Sequence, residues 1–282
     1  ELVMFKVSLV TTVFNERDSI EVFLNSSISQ SRVPDEFIIL DGFSNDGTYE
    51  IICNYAENHS FIVLLRERCG IARGRNLAIA RSTGEVIATT DAGCVVETSW
   101  LEHLVQPFDD GAFLAAYGIF EIIGDSRIQR VYAAIQRRRS PEKNYPSSRS
   151  FAFRKHLWEI CPYPEDLVVH EDSRLCMTWN ARGISFGFIE KALVGWVAES
   201  SLRKIFKKHS RYAFWTALSG DFPQRFHGFV CMSWTLFFYI SLASPLVASV
   251  LVFSYVLFRV FRGKNSSLAR LRLGPSSIGL AL

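Results

Sequence analysis

The sequence predicts an α/β fold: a mostly parallel, doubly wound sheet with helices on both faces, followed by a C-terminal membrane helix or hairpin. Three observations carry this. Within residues 6–94, four short apolar runs alternate with helix-patterned stretches, the signature of successive β-α units. Polar residues (Thr12, Asp41, Asp91) stand at the ends of three of those runs, where sheets of this kind bind ligands. Finally, residues 229–258 contain no Asp, Glu, Lys or Arg, against the roughly 20 apolar residues a helix needs to cross a bilayer.

The elements follow in order. Residues 6–12 (KVSLVTT) are β-rich and lead through Val13, Phe14, Asn15 and Glu16 into a segment with Ile20, Phe23, Leu24 and Ile28 on one helical face. Residues 36–40 form a short apolar run, and the turn-rich 41–48 follows, in which Asp46 can cap the helix that holds Ile51, Ile52 and Tyr55. Residues 61–65 are the third strand, 73–81 a helix stopped by Gly84, and 86–90 the fourth strand, ending at Asp91-Ala92-Gly93-Cys94. Beyond it, 113–123 is β-like, 127–139 a basic helix and 140–149 a loop by its Pro and Ser content. A strand over 150–153, a turn at Pro162-Tyr163-Pro164, a helix over 171–182, a strand over 184–189 and a basic helix over 201–217 complete the pattern. The expected organisation is a globular domain over 1–222, a basic-flanked transmembrane or re-entrant segment over 223–264 and a flexible tail over 265–282.

Composition narrows the function. Against 31 Lys and Arg stand 28 Asp and Glu, a net charge of +3 that disfavours general nucleic-acid binding, while 49% hydrophobic side chains suffice for a core. The six cysteines form no C-x-x-C pair, so buried free thiols are expected rather than a zinc site or a disulfide framework. Residues 1–6 lack a basic n-region and a long apolar stretch, so no secretory signal is expected and the soluble part is placed in the cytosol. No G-x-G-x-x-G follows the first strand and there is no P-loop, which argues against a dehydrogenase and a P-loop NTPase.

Each candidate side chain has two readings. Asp41 can accept hydrogen bonds from a nucleobase or ribose, or close its own turn. Asp91 can hold a metal or a sugar, or cap the next turn. Glu171 and Asp172 suit the start of a helix through its macrodipole; alternatively, one is a general base and the other orients it. Consecutive helical residues diverge by about 100°, so the pair cannot converge on one atom and must divide the roles.

Order decides more than any single residue. Residues 7–16 (VSLVTTVFNE), 40–48 (LDGFSNDGT), 70–76 (GIARGRN), 90–94 (TDAGC) and 170–172 (HED) together resemble the family 2 glycosyltransferases of the GT-A, Rossmann-like fold. The resemblance implies inverting transfer from a nucleotide-sugar donor. Thr12, Glu16, Asp41, Arg75, Asn76 and Asp91 would line the donor site, and Asp172, next to Glu171, would be the general base. It also implies a divalent cation, Mg²⁺ or Mn²⁺, at Asp91. The family's Asp-x-Asp reads Asp91-Ala92-Gly93 here, so the second carboxylate is missing; one carboxylate with diphosphate oxygens and waters can still complete the cation's shell. The Gln-x-x-Arg-Trp motif of processive members is absent, and the basic helix ending in His209-Ser210-Arg211-Tyr212 resembles that of non-processive relatives.

Two basic clusters complete the reading. Arg137, Arg138, Arg139, Lys143 and Arg149 could face the donor diphosphate or an anionic acceptor, or form a solvated loop. Lys204, Lys207, Lys208 and Arg211, with Tyr212, suit the acceptor side or an anionic membrane surface. The tail carries Pro245 near its middle and basic residues at both ends, compatible with one tilted span or with a hairpin. The expected partners are therefore a nucleotide-sugar, a lipid-linked or glycan acceptor and the inner cell membrane, with the catalytic domain facing the cytoplasm. The competing class is a catalytically silent, membrane-anchored scaffold that keeps nucleotide binding.

Overall fold

A computed structural model describes residues 5–109, 111–136 and 146–218. One eight-stranded sheet runs in the order β3 (Ile62–Arg66), β2 (Glu36–Asp41), β1 (Val7–Val13), β4 (Val86–Thr89), β7 (Phe151–Arg154), β6 (Ala115–Ile123), β8 (Phe186–Val197), β5 (Cys94–Val96). Its first half comprises β1, β2, β3 and β4, all parallel. The intervening helices are α1 (Ile20–Ile28), α2 (Thr48–Asn58) and α3 (Ile71–Arg81). Every residue of β2 is buried and β1 nearly so, which is why both read as continuous apolar runs rather than alternating ones.

The second half departs from the expected parallel arrangement. β7 pairs antiparallel with β4 and with β6, and β5 pairs antiparallel with β8. Only β6 and β8 are parallel there, so the sheet as a whole is mixed. β8 also runs well past the expected 184–189. The exposed charged pair Glu190-Lys191 interrupts the apolar pattern, but it falls where the β6–β8 register shifts, between Tyr117 and Ile119, and pairing resumes beyond it. Gly118 sits at that shift because a Cβ would run into the Ala192 carbonyl and the Ser150 hydroxyl.

Two cores flank the sheet. Leu9 and Val10 point to opposite faces, as successive strand residues must. On one face Phe23, Phe37, Trp100 and Leu104 pack under α1, α2 and α4 (Trp100–Val105). On the other, Ile38, Ala78, Ile79, Phe153 and Trp179 pack under α3, α6 (Lys155–Ile160) and α7 (Glu171–Ala181). Burying each large side chain contributes about 1.5–3 kcal/mol. α3 lies close to the sheet because its inner face is small: a Cβ on Gly74 would stand 2.9 Å from Thr12 Cγ2 and 3.2 Å from Leu40 Cδ2.

α5 is described as Arg127–Gln136, so Arg137, Arg138, Arg139 and Lys143 lie outside the described residues. So do residues 219–282, which include the expected membrane segment; among the described residues no helix is long and apolar enough to cross a membrane. The chain divides into two compact units, Glu1–Ile205 and Phe206–Leu282, a division that falls within α8 (Leu202–Leu218).

Candidate active site

The parallel half brings the carboxyl ends of β1, β2 and β4 side by side. In register, Val13 stands beside Asp41 and Val10 beside Thr89, so the three polar strand ends are neighbours. The Thr11 hydroxyl donates to the Thr90 carbonyl at 2.8 Å and ties two of them together.

Asp41 is fully buried. Its carboxylate accepts the Ser44 N–H at 3.1–3.2 Å and faces Arg66 Nε at 3.2 Å. The turn-closing role is therefore present, together with an ionic partner that reading the residue in isolation did not supply. Arg66 also donates to the Ser44 carbonyl and lies 3.9 Å from the centre of the Tyr49 ring and 4.7 Å from that of Phe43. Glu16 Oε2 accepts the Ser19 hydroxyl at 2.7 Å, and a Cβ on Gly93 would stand 4.0 Å from the same oxygen. Thr12 is partly exposed, with its methyl group against α3.

Arg75 is the hub. Only 5% exposed, it pairs through Nη1 with Glu171 Oε1 and through Nη2 with Asp91 Oδ1 at 2.8 Å. Burial disfavours its charge, but Glu171 and Asp91 outweigh that and hold the guanidinium charged. Burial pushes the Glu171 carboxyl above its usual range, with Asp172 adding to the shift and Arg75 opposing it. Asp172 turns the other way: Oδ2 accepts the Ser148 N–H at 3.2 Å and Oδ1 the Ser173 N–H at 2.7 Å. The two adjacent acids are thus divided, one locked inward on Arg75 and one partly exposed beside the 147–150 loop. His170, just before them, holds φ 66°, a left-handed conformation that costs a non-glycine residue of order 1 kcal/mol.

Arg149 reaches the second Asp91 oxygen, Nε to Oδ2 at 3.6 Å, and stands 4.8 Å from the ring centres of both Phe120 and Trp196. Asn76 corrects the sequence expectation. Its amide donates to the Tyr163 carbonyl and to Glu165 Oε1, both at 2.9 Å, and its oxygen accepts from Trp158 Nε1 and the Tyr163 N–H. With two donors and two acceptor sites filled, it fastens the 158–165 segment to α3 and has no capacity left for a nucleotide. Lys207, Arg211 and Tyr212 lie on α8 in the second compact unit.

Sequence reasoning missed Arg66 and Tyr163. Arg66 directly follows the run assigned as the third strand, and the β2–β3 register sets it opposite Asp41, a partnership visible only once pairing is known. In the sequence, its flanking prolines mark Tyr163 as part of a turn. It is buried, its ring centre lies 5.5 Å from the Arg75 guanidinium, and burial pushes its phenol above the ordinary range.

A divalent cation is compatible with one anchor here. Asp91 is a third exposed, and its Oδ2 stands 3.6 Å from Arg149, beyond hydrogen-bond length, so lone pairs remain available. Among the described residues no group of three or more His, Cys, Asp or Glu is placed to hold a metal, so donor oxygens would have to supply most of the shell.

Comparisons with known proteins bear on the fold and the family. The strand order and the solved neighbours give a GT-A-like α/β fold. A mannosyltransferase, PcManGT from Pyrobaculum calidifontis, solved with GDP-Man and Mn²⁺, superposes with TM-score 0.62 at 20% identity, covering 93% of this chain and 82% of that one. S. aureus TarS 1–349 with UDP superposes at 0.56 and 16% identity, covering 84% and 72%. Among curated sequences, the cholesterol galactosyltransferase of Borreliella burgdorferi is 26% identical over 160 residues, 55% of this chain and 42% of that protein. Putative teichuronic acid biosynthesis glycosyltransferase TuaG of Bacillus subtilis is 38% identical over 88 residues, 30% and 35%. Glycosyltransferase AglE of Haloferax volcanii is 26% identical over 193 residues, 64% and 62%. The matched stretches span between 35% and 62% of these relatives' lengths. Residues 8–163, more than half of the chain, match the description "Glycosyl transferase family 2", and the chain belongs to that family.

Proposed function

We propose that this protein transfers a single sugar, with inversion, from a nucleotide-diphosphate sugar to an acceptor hydroxyl on a lipid-linked or membrane-proximal glycan. The observation that carries the proposal is the division of the adjacent acids, with Glu171 held on Arg75 and Asp172 directed elsewhere. A general base needs a carboxylate able to meet the incoming hydroxyl, and Asp172 is the member of the pair that remains partly exposed. Asp172 takes the acceptor proton as the acceptor oxygen bonds to the anomeric carbon. The bond from that carbon to the diphosphate oxygen breaks, and the nucleoside diphosphate leaves. Arg75 fixes Glu171 and Asp91 relative to each other, and Arg149 brings a positive charge to the Asp91 end. Mg²⁺ or Mn²⁺ bound by Asp91 and the donor would neutralise charge on the leaving group. The neighbours solved with UDP and with GDP-Man support a nucleotide-sugar donor. The uncharged run over 229–258 supports an acceptor at the membrane.

A silent nucleotide-binding scaffold is the second reading, favoured by Gly93 standing where the family carries its second carboxylate. Turnover separates the two readings, and nucleotide binding tests the donor site that both share. Titration with UDP and GDP, with and without Mn²⁺, gives saturable binding of one nucleotide if the donor site is real. In membranes supplied with nucleotide-sugars, Asp172→Asn lowers turnover by about 10²-fold or more while nucleotide affinity stays within about twofold. Wild-type turnover in that variant overturns the assignment of the base.

A further inference from the structure

We infer that the exposed face of α8 is a docking surface for an anionic lipid leaflet. Arg203, Lys204, Lys207 and Arg211 are all exposed, and at 100° per residue they fall within one arc of about 100°. None of the four forms an ion pair among the described residues, and no Asp or Glu occurs between 200 and 218 to offset them. Phe214, 54% exposed, falls inside the same arc. Within the arc, Arg203, Lys207 and Arg211 follow one another at i, i+4 spacing, where like charges repel and weaken a helix. A face that concentrates cations at that cost, with an aromatic ring among them, is complementary to anionic head groups over an apolar interior.

The rest of the chain selects the membrane over other polyanions. The uncharged run begins at Phe229, shortly after α8 ends at Leu218, so a helix joined to it would be held near any bilayer that run enters. Net charge of only +3 over 282 residues gives no general attraction to nucleic acid; the excess is local to this face. The inference goes beyond sugar transfer, because the face would bind lipid whether or not the site turns over.

The test is hydrogen exchange of the α8 amides in the full chain, reconstituted in phosphatidylcholine vesicles or in an equimolar mixture with phosphatidylglycerol. Exchange is expected to slow in the anionic vesicles relative to the neutral ones, and the difference to vanish near 1 M salt, where screening acts within about 3 Å. The variant R203Q/K204Q/K207Q/R211Q is expected to lose the difference, each neutralised cation weakening protection about fivefold. A thermal melt matching the wild type shows that the variant is folded. Equal exchange in the two vesicle types overturns the inference, since the apolar run alone would then hold the helix. Equal or stronger protection by RNA without lipid also overturns it, by assigning the face to a nucleic acid. Nucleotide binding, measured without vesicles, tests the transfer reading separately.

Discussion

Arg75 joins three functions in one side chain: it neutralises Glu171, anchors Asp91 and sits against the Tyr163 ring, all with almost no access to water. Its partner Glu171 makes the arrangement measurable. Burial raises the folded-state pKa of Glu171 above its ordinary value of 4.5, so in the window above 4.5 the folded protein holds its proton more tightly than the unfolded chain does. The stability from this group is therefore fully present below the ordinary value and is lost as pH rises through the folded one. Glu171→Gln removes the titration. Urea unfolding from pH 4.5 upward is thus expected to show the variant gaining on the wild type as pH rises, whatever its absolute stability. A constant difference across the range would mean that folding leaves the pKa of Glu171 unchanged. Helix geometry already requires Glu171 and Asp172 to divide their roles, and the family resemblance names Asp172 as the base; that Glu171 is the acid that meets α3 is not legible, because no spacing along the chain encodes that contact.

α3 is the element through which packing becomes site geometry. Its inner face of Ala72, Gly74 and Ala78 lets it approach β1 and β2 closely, and the residue after Gly74 is Arg75. Gly74→Ala puts a methyl group 2.9 Å from Thr12 Cγ2, so the helix or the threonine must shift. The expected cost is about 1–3 kcal/mol by denaturant unfolding, together with weaker nucleotide binding as Arg75 moves. Thr12→Ser removes the opposing methyl group and should restore much of both in the double variant, a coupling that two independent sites would not show. Elements of this kind were legible where each buried its own apolar face: Ile20, Phe23 and Leu24 marked α1, and 36–40 marked β2. They were illegible where neighbours supply the burial. β5 is three residues long and exists through its pairing with β8, and α4 and α6 are six residues each, too short to show a helical period.

On the scale of the molecule, the parallel half carries the strand-end residues that sequence order identified, while the antiparallel β4–β7 junction brings in the loop with Ser148 and Arg149. β-α alternation made the first half readable. In the second half β6, β7 and β8 were legible as elements but their pairing was not, since they pair out of sequence order and nothing local specifies a partner. Asp91 stands where the halves meet, attached to Arg75 from one and Arg149 from the other. A ligand bound there would stabilise the folded chain by mass action, about 2.7 kcal/mol at a hundred times its Kd. For a unit of this size each kcal/mol raises Tm by about 2–4 °C, so saturating UDP or GDP with Mn²⁺ should raise Tm by about 5–11 °C. Asp91→Asn keeps the shape of the side chain but weakens the anchor for a cation. If the cation is held by this single carboxylate, the variant should lose the part of the shift that depends on Mn²⁺ and keep the part seen with nucleotide alone. If the Mn²⁺-dependent part survives, the donor's own oxygens bind the cation without help from the protein, and Asp91 serves to hold Arg75 and Arg149 in place.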